Sequence, residues 1–191
     1  MKRLPLSFIL LLLGLTSLWA GQKDTCRIPL AAPSSVTIDG KVNDGEYAAT
    51  YADGKTGITV CWQTDSLNLY CALQSPGQGW LSIGFGSPGM NGADMIIAFI
   101  DDKGKWTVEE HEGKSFFRHS KYKNSKLINA KAGLINGKTV MEFCLPLKLS
   151  NGQEISFNQP LPFILAYHQS KTSLSKHSKK SSGLLVLTSG Q

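Results

Sequence analysis

GWLSIGFGSPGMNGADMIIAFID, residues 79–101, decides how this chain folds. Two apolar runs, WLSIGFG (80–86) and ADMIIAFI (93–100), flank a Gly-rich corner. Successive side chains of a strand point to opposite sides, so Leu81, Ile83 and Phe85 share one face while Trp80, Ser82 and Gly84 share the other. The first face suits a core. The second is small near Gly84 and Gly86, which leaves room for something bulky to approach. The corner presents Met90 between Gly89 and Asn91, an odd place for a core methionine because an exposed thioether contributes little burial. Asp94, just beyond, reads as a strand-start turn residue or a brace for the corner. Met95 and Met141 sit in apolar runs and read as packing.

The same grammar continues outward. GITVCW (57–62), LNLYCAL (67–73), KWTVEE (105–110), KLINAKAGL (126–134), TVMEFCLP (139–146), LPFILAYH (161–168) and GLLVLT (183–188) are short, rich in β-branched and aromatic residues, and bounded by Asp, Asn, Gly and Pro. No segment after the leader sustains a helical period. Turns at residues 101–104 and at Asn136-Gly137 make hairpins of residues 93–110 and 126–146. The expected fold is all-β, an antiparallel immunoglobulin-like β-sandwich of about nine to eleven strands.

The first 20 residues carry Lys2 and Arg3, then an apolar run, then Leu-Trp-Ala before Gly21. That is the pattern of a secretory signal peptide cleaved near Ala20, leaving one sandwich domain over residues 21–191 in a secreted or periplasmic protein. The formal charge of the whole chain is +6, and loss of Lys2 and Arg3 lowers it to +4. The remainder is uneven: acids gather in residues 94–112, while Lys114, Arg118, Lys121, Lys123, Lys126 and Lys131 follow with no acid among them. A second basic group, Lys171, Lys176, Lys179 and Lys180, lies in the Ser-rich KTSLSKHSKKSSG. Such patches are solvated faces or steer an acidic partner. Nucleic acid is not expected of an exported chain without an aromatic platform interleaved with its basic residues.

Cys26, Cys61, Cys71 and Cys144 in an exported chain are compatible with disulfides, and four cysteines permit three connectivities. Cys61 and Cys71 fall on neighbouring strands and form one candidate pair, which leaves Cys26 with Cys144. None has the spacing of covalent haem attachment or of a clustered zinc site.

Read together, these residues resemble the DOMON domain, the exported β-sandwich family that includes the cytochrome domains of cellobiose dehydrogenases. VTIDGKVNDGEY (36–47) is similar to the opening of bacterial members and to sugar-binding modules of the same superfamily. ITVCWQTDSLNLYCAL followed by residues 79–101 resembles the family's most recognisable segment. PFILAYHQSKTSLSKHSKKSSGLLVL resembles its closing motif. The resemblance implies a non-covalent b-type haem whose iron ligands fall on Met90 and His177. His168 is the alternative histidine, because relatives often carry a small residue there.

Thioether sulfur and imidazole nitrogen are a ligand pair used to hold electron-transfer iron from both sides. Here they are expected to meet across the open end of the sandwich. Trp80, Phe85 and Tyr167 are candidates to line the porphyrin, or else ordinary core aromatics. His111 and His119 read as surface residues. The Asp39-Gly40 and Asp44-Gly45-Glu46 cluster reads as a turn with a satisfied Glu46, since its spacing falls short of a calcium loop.

No Ser-His-Asp or Cys-His arrangement points to an enzyme. The expectation is a single-electron carrier working with a redox partner protein or membrane cytochrome, and the basic patches suit an acidic one. Two rivals stand beside it: a metal-free module binding carbohydrate or another ligand, and a haem sensor or carrier.

Overall fold

Alternation of apolar and polar residues sets the architecture of the computed structural model, which describes residues 24–30 and 36–189. The leader lies outside the described residues. The strands run β1 (Thr25–Pro29), β2 (Ala49–Ala52), β3 (Thr59–Thr64), β4 (Asn68–Gln74), β5 (Leu81–Phe85) and β6 (Asp94–Ile100). They continue as β7 (Trp106–Gly113), β8 (His119–Lys121), β9 (Asn129–Ile135), β10 (Lys138–Pro146), β11 (Pro160–Tyr167) and β12 (Lys179–Thr188). Two sheets result: a seven-stranded one in the order β1-β12-β11-β5-β6-β7-β8, and a five-stranded one in the order β2-β3-β4-β10-β9.

Twelve strands are one more than the upper expectation, and β1 pairs parallel with β12 where an antiparallel arrangement was expected throughout. The elements missing from the sequence reading are β1, β2 and β8, each of five residues or fewer. Segments that short carry too few alternations to stand out.

The inter-sheet core takes every second residue of the central strands. Leu81, Ile83 and Phe85 of β5, Ile96 and Ala98 of β6, and Phe163, Leu165 and Tyr167 of β11 meet Val60 and Trp62 of β3 and Met141 and Phe143 of β10. Trp62 makes edge contacts with Phe85 and Phe163 at centroid separations of 6.4 and 5.8 Å. Edge-to-face aromatic packing adds a modest gain beyond burial itself.

The VNDGEY opening forms a strap across the outer side of the five-stranded sheet. Glu142 on β10 is fully buried and accepts the Asp39 and Gly40 N–H groups at 3.1 and 2.6 Å and the Tyr47 hydroxyl at 2.8 Å. Burial raises the Glu142 carboxyl above its ordinary range, and these donors pull against that shift. Glu46 accepts the Thr37 and Asn43 N–H groups, both at 3.0 Å, so the strap closes on itself.

The disulfide expectation is corrected: all four cysteines are free. Trp62 stands opposite Cys71 and Cys61 opposite Ala72, so the one-residue offset turns Cys71 into the core and Cys61 to the other face. Burial pushes the Cys26 and Cys144 thiols up to about 11.

Candidate functional site

Residue alternation gives the seven-stranded sheet a second apolar cluster, on its outer face. Trp80, Ala93, Met95 and Ile97 are buried there, with Met90, Phe99, Ile164 and Ala166 packed against them. The register explains the stripe: Gly84 stands opposite both Met95 and Ile164, and Ser82 opposite both Ile97 and Ala166. Apolar residues on β6 and β11 thus flank the small residues of β5. An antiparallel sandwich normally turns polar residues outward, so this apolar outer face is unusual; its four central residues are already buried by their neighbours, and Met90, Phe99, Ile164 and Ala166 form its half-buried rim.

The small residues of β5 do not leave an open slot. A Cβ at Gly84 would lie 2.9 Å from Ile164 Cγ1 and 3.0 Å from Met95 Cγ, and one at Gly86 would run into the Gln153 side chain. The space expected near Gly84 and Gly86 is therefore taken by neighbouring side chains. The outer face is a floor.

Met90 belongs to the corner joining β5 to β6 and folds back to pack against this cluster. The corner is held from below. Gly113 of β7 donates its N–H to Ala93 O at 2.9 Å and accepts that of Gly92 at 2.8 Å, and a Cβ at Gly113 would strike Met90 O. Asp94 braces the neighbouring loop, accepting the Ser150 and Asn151 N–H groups at 2.8 and 3.2 Å. Asn151 Nδ2 in turn donates to Gly92 O at 3.3 Å. Burial and then the facing charge of Glu110 push the Asp94 carboxyl up to about 7.

His177 lies in the loop between β11 and β12 and is half-buried. Burial first, then Lys180 and Lys176, lower its tendency to protonate, while a bond to its own backbone pulls weakly the other way. The loop wraps the opposite end of the stripe: Lys171 O accepts the Trp80 N–H at 2.9 Å and Thr172 O accepts the Ile100 N–H at 3.1 Å.

The register places Met90 and His177 at the two ends of the outer face and not together at one open end of the sandwich. Phe85 pairs with Phe163 and Leu81 with Tyr167, so the corner and the His177 loop leave opposite ends of the β5–β11 pair. The roots are separated by the length of β5, about 14 Å at ~3.4 Å per residue. What lies between the two loops is the outer face, and Met90 already leans onto it.

Trp80 sits on that face, and its indole Nε1 is buried with no hydrogen-bond partner among the described residues. Phe85 and Tyr167 face the inter-sheet core, on the other side of the sheet from Met90. His168 uses Nδ1 to accept the Ser170 and Lys171 N–H groups at 3.1 and 2.8 Å. A neutral ring accepting at Nδ1 carries its hydrogen on Nε2, so His168 acts as a brace of the loop.

His111 departs from its surface reading: it is 6% exposed. Its Nε2 lies 3.0 Å from Glu109 and its Nδ1 2.9 Å from Nδ1 of His119. Among the described residues no group of three or more His, Cys, Asp or Glu side chains is arranged to hold a metal ion. The outer-face residues Ile97, Ile164 and Ala166 were not singled out from sequence, and Met95, read as packing, packs on this outer face and not between the sheets. Their signal is the run DMIIAFI, apolar on both faces in a sheet with water on one side.

A two-sheet β-sandwich whose seven-stranded sheet carries an apolar outer cluster between the Met90 corner and the His177 loop defines the class. A family model for the DOMON domain matches residues 54–168, more than half of the chain, and the protein belongs to that family. The matched segment contains Met90 and His168 and ends before His177. The fold is similar to the crystal structure of the cytochrome b domain of pyranose dehydrogenase from Coprinopsis cinerea, with a TM-score of 0.54 and 14% identity over 72% of this chain and 80% of that one. It is also similar to a family 9 carbohydrate-binding module from Caldicellulosiruptor kristjanssonii solved with cellotriose, with a TM-score of 0.50 and 12% identity over 88% of this chain and 95% of that one. At such identities the likeness is one of fold.

Proposed function

We propose that the protein is an exported domain that binds b-type haem non-covalently and passes single electrons, and that Met90 and His177, reaching over the outer face from its two ends, are the residues that would hold the iron. The observation that carries this reading is the apolar outer face bracketed by the loops of those two residues. Bound haem supplies a one-electron ferric/ferrous couple there.

The chain's own residues do the rest. Met90 offers a soft thioether from a corner pinned on Gly113. His177 offers an imidazole held toward its neutral form, as a ligand must be. Trp80, Met95, Ile97, Ile164 and Ala166 form the apolar floor on which the cofactor would rest, away from water. The unpartnered Trp80 Nε1 is a donor ready for a polar group at the cofactor's edge. His168, held as a loop brace, is the weaker ligand candidate. The lysines around His177 suit an acidic redox partner, because complementary fields raise encounter rates without large contacts.

The second reading, a carbohydrate-binding module, rests on the strap side of the molecule. There a shallow cavity of about 150 Å³ is lined by Val42, Asn43, Asp44, Gly45, Tyr47, Thr50 and Cys61. A visible spectrum of protein titrated with haem separates the two. Saturation at one haem per chain, with a low-spin spectrum that changes on adding reductant, is expected; a spectrum of free haem alone would reject the cytochrome reading.

A further inference from the structure

Hairpin β7–β8 ends in the turn Lys114-Ser115-Phe116-Phe117-Arg118, inside the basic run. The turn is closed by the Lys114 and Ser115 N–H groups donating to Arg118 O at 2.9 and 3.2 Å, and by Phe117 N–H donating to Ser115 Oγ at 3.3 Å. The turn is thus fastened at both ends, yet Phe116 is 77% and Phe117 92% exposed. Turn chemistry asks for Gly, Asn, Asp or Ser at such a tip, not adjacent phenylalanines.

We propose that this tip is a membrane-docking element that inserts Phe116 and Phe117 into the interfacial region of an anionic lipid surface. Aromatic rings prefer that region, and cations close to it are attracted by anionic headgroups. Arg118 is exposed in the turn itself, and Lys114 flanks it in a surface pair with Glu112; Lys121, paired with Glu109, and Lys123 lie farther back along the hairpin. Exposed pairs of this kind are weak and leave the cations available to headgroups.

The shape favours lipid over a protein partner. Two side chains on a five-residue convex turn offer no flat floor, whereas a stable protein interface covers about 800 Å² on each side. The base of the tip is Gly113, the residue on which the Met90 corner rests, so docking would hold that corner toward the lipid surface. The proposal stands whether or not haem is bound.

An apolar leader would bind vesicles by itself, so the test reads the tip locally. The full chain carrying Phe117→Trp is mixed with phosphatidylcholine vesicles with and without phosphatidylglycerol, and the emission gained over the parent chain is followed. The expected result is a blue shift with reduced acrylamide quenching on the anionic vesicles alone, weakened by salt. Adding Arg118→Glu and Lys114→Glu should raise the lipid needed for half the shift about tenfold. A tip that stays quenchable on anionic vesicles, or that responds equally with the charges reversed, overturns the proposal.

Discussion

Asp94 is the residue whose protonation most directly tests the corner. Its carboxyl is pushed up to about 7 by burial and by Glu110, so the folded state holds a proton that the unfolded chain releases near pH 4. A raised acid of this kind stabilises the fold fully below the unfolded value, and that contribution is lost as pH rises toward 7. Asp53, Asp65 and Glu109 shift the other way, because donated hydrogen bonds outweigh their burial, and their contribution is lost only below about pH 4. Asp94 should therefore contribute a fall in thermal melting between pH 5 and pH 7, against a rise from His177, whose charged form the fold disfavours, and Asp94→Asn should remove that fall while its amide oxygen keeps accepting from Ser150 and Asn151. An unchanged slope in the variant would place the titration elsewhere. Gly113 makes a sterically simpler case. Gly113→Ala drives a methyl into Met90 O, a backbone atom that cannot swing aside, and should cost about 2–3 kcal/mol in urea unfolding as the corner is displaced. Sequence reading singled out Met90 and Asp94 but not Gly113, because the reason for a glycine there is a contact made across two strands.

At the scale of the strand, alternation was legible and facing was only half so. WLSIGFG gave the correct split between Leu81, Ile83 and Phe85 and their neighbours, and the hairpins at residues 93–110 and 126–146 formed as expected. What alternation does not reveal is which face meets the other sheet. Phe85 and Tyr167, candidates for a cofactor wall, turned inward, while the apolar residues of β6 and β11 formed the outer floor. The disulfide expectation failed for the same reason of register, since one residue of offset decides which side a cysteine faces. Phe85→Ala should therefore behave as a core truncation, lowering stability by about 3–5 kcal/mol in denaturant unfolding while leaving any haem spectrum of the folded protein unaltered. Ile97→Asp, placing a charge on the outer floor, should do the reverse in part, weakening haem binding more than it weakens the fold. Equal loss of haem from both variants would remove the distinction between the two faces.

Across the whole molecule, three features share one region of the seven-stranded sheet. The apolar floor lies at its centre, the basic loop bearing His177 at one end, and the Met90 corner with the exposed phenylalanine tip at the other. The five-stranded sheet, with its strap clamped on Glu142, is the support behind them. This division of labour suits an electron carrier that must present one face to a partner and keep the other rigid. The overall sandwich was readable because many short strands each repeat the same signal. Of the candidate site, sequence reading named Met90, His177 and Trp80 but not the rest of the floor, whose residues look like core until the second sheet is in place. The most direct test titrates haem into the wild type, Met90→Leu and His177→Ala side by side and compares their visible spectra in both oxidation states. The account predicts a low-spin, redox-responsive spectrum in the wild type that becomes high-spin or weakly bound in each variant. Wild-type spectra retained in both variants would contradict it.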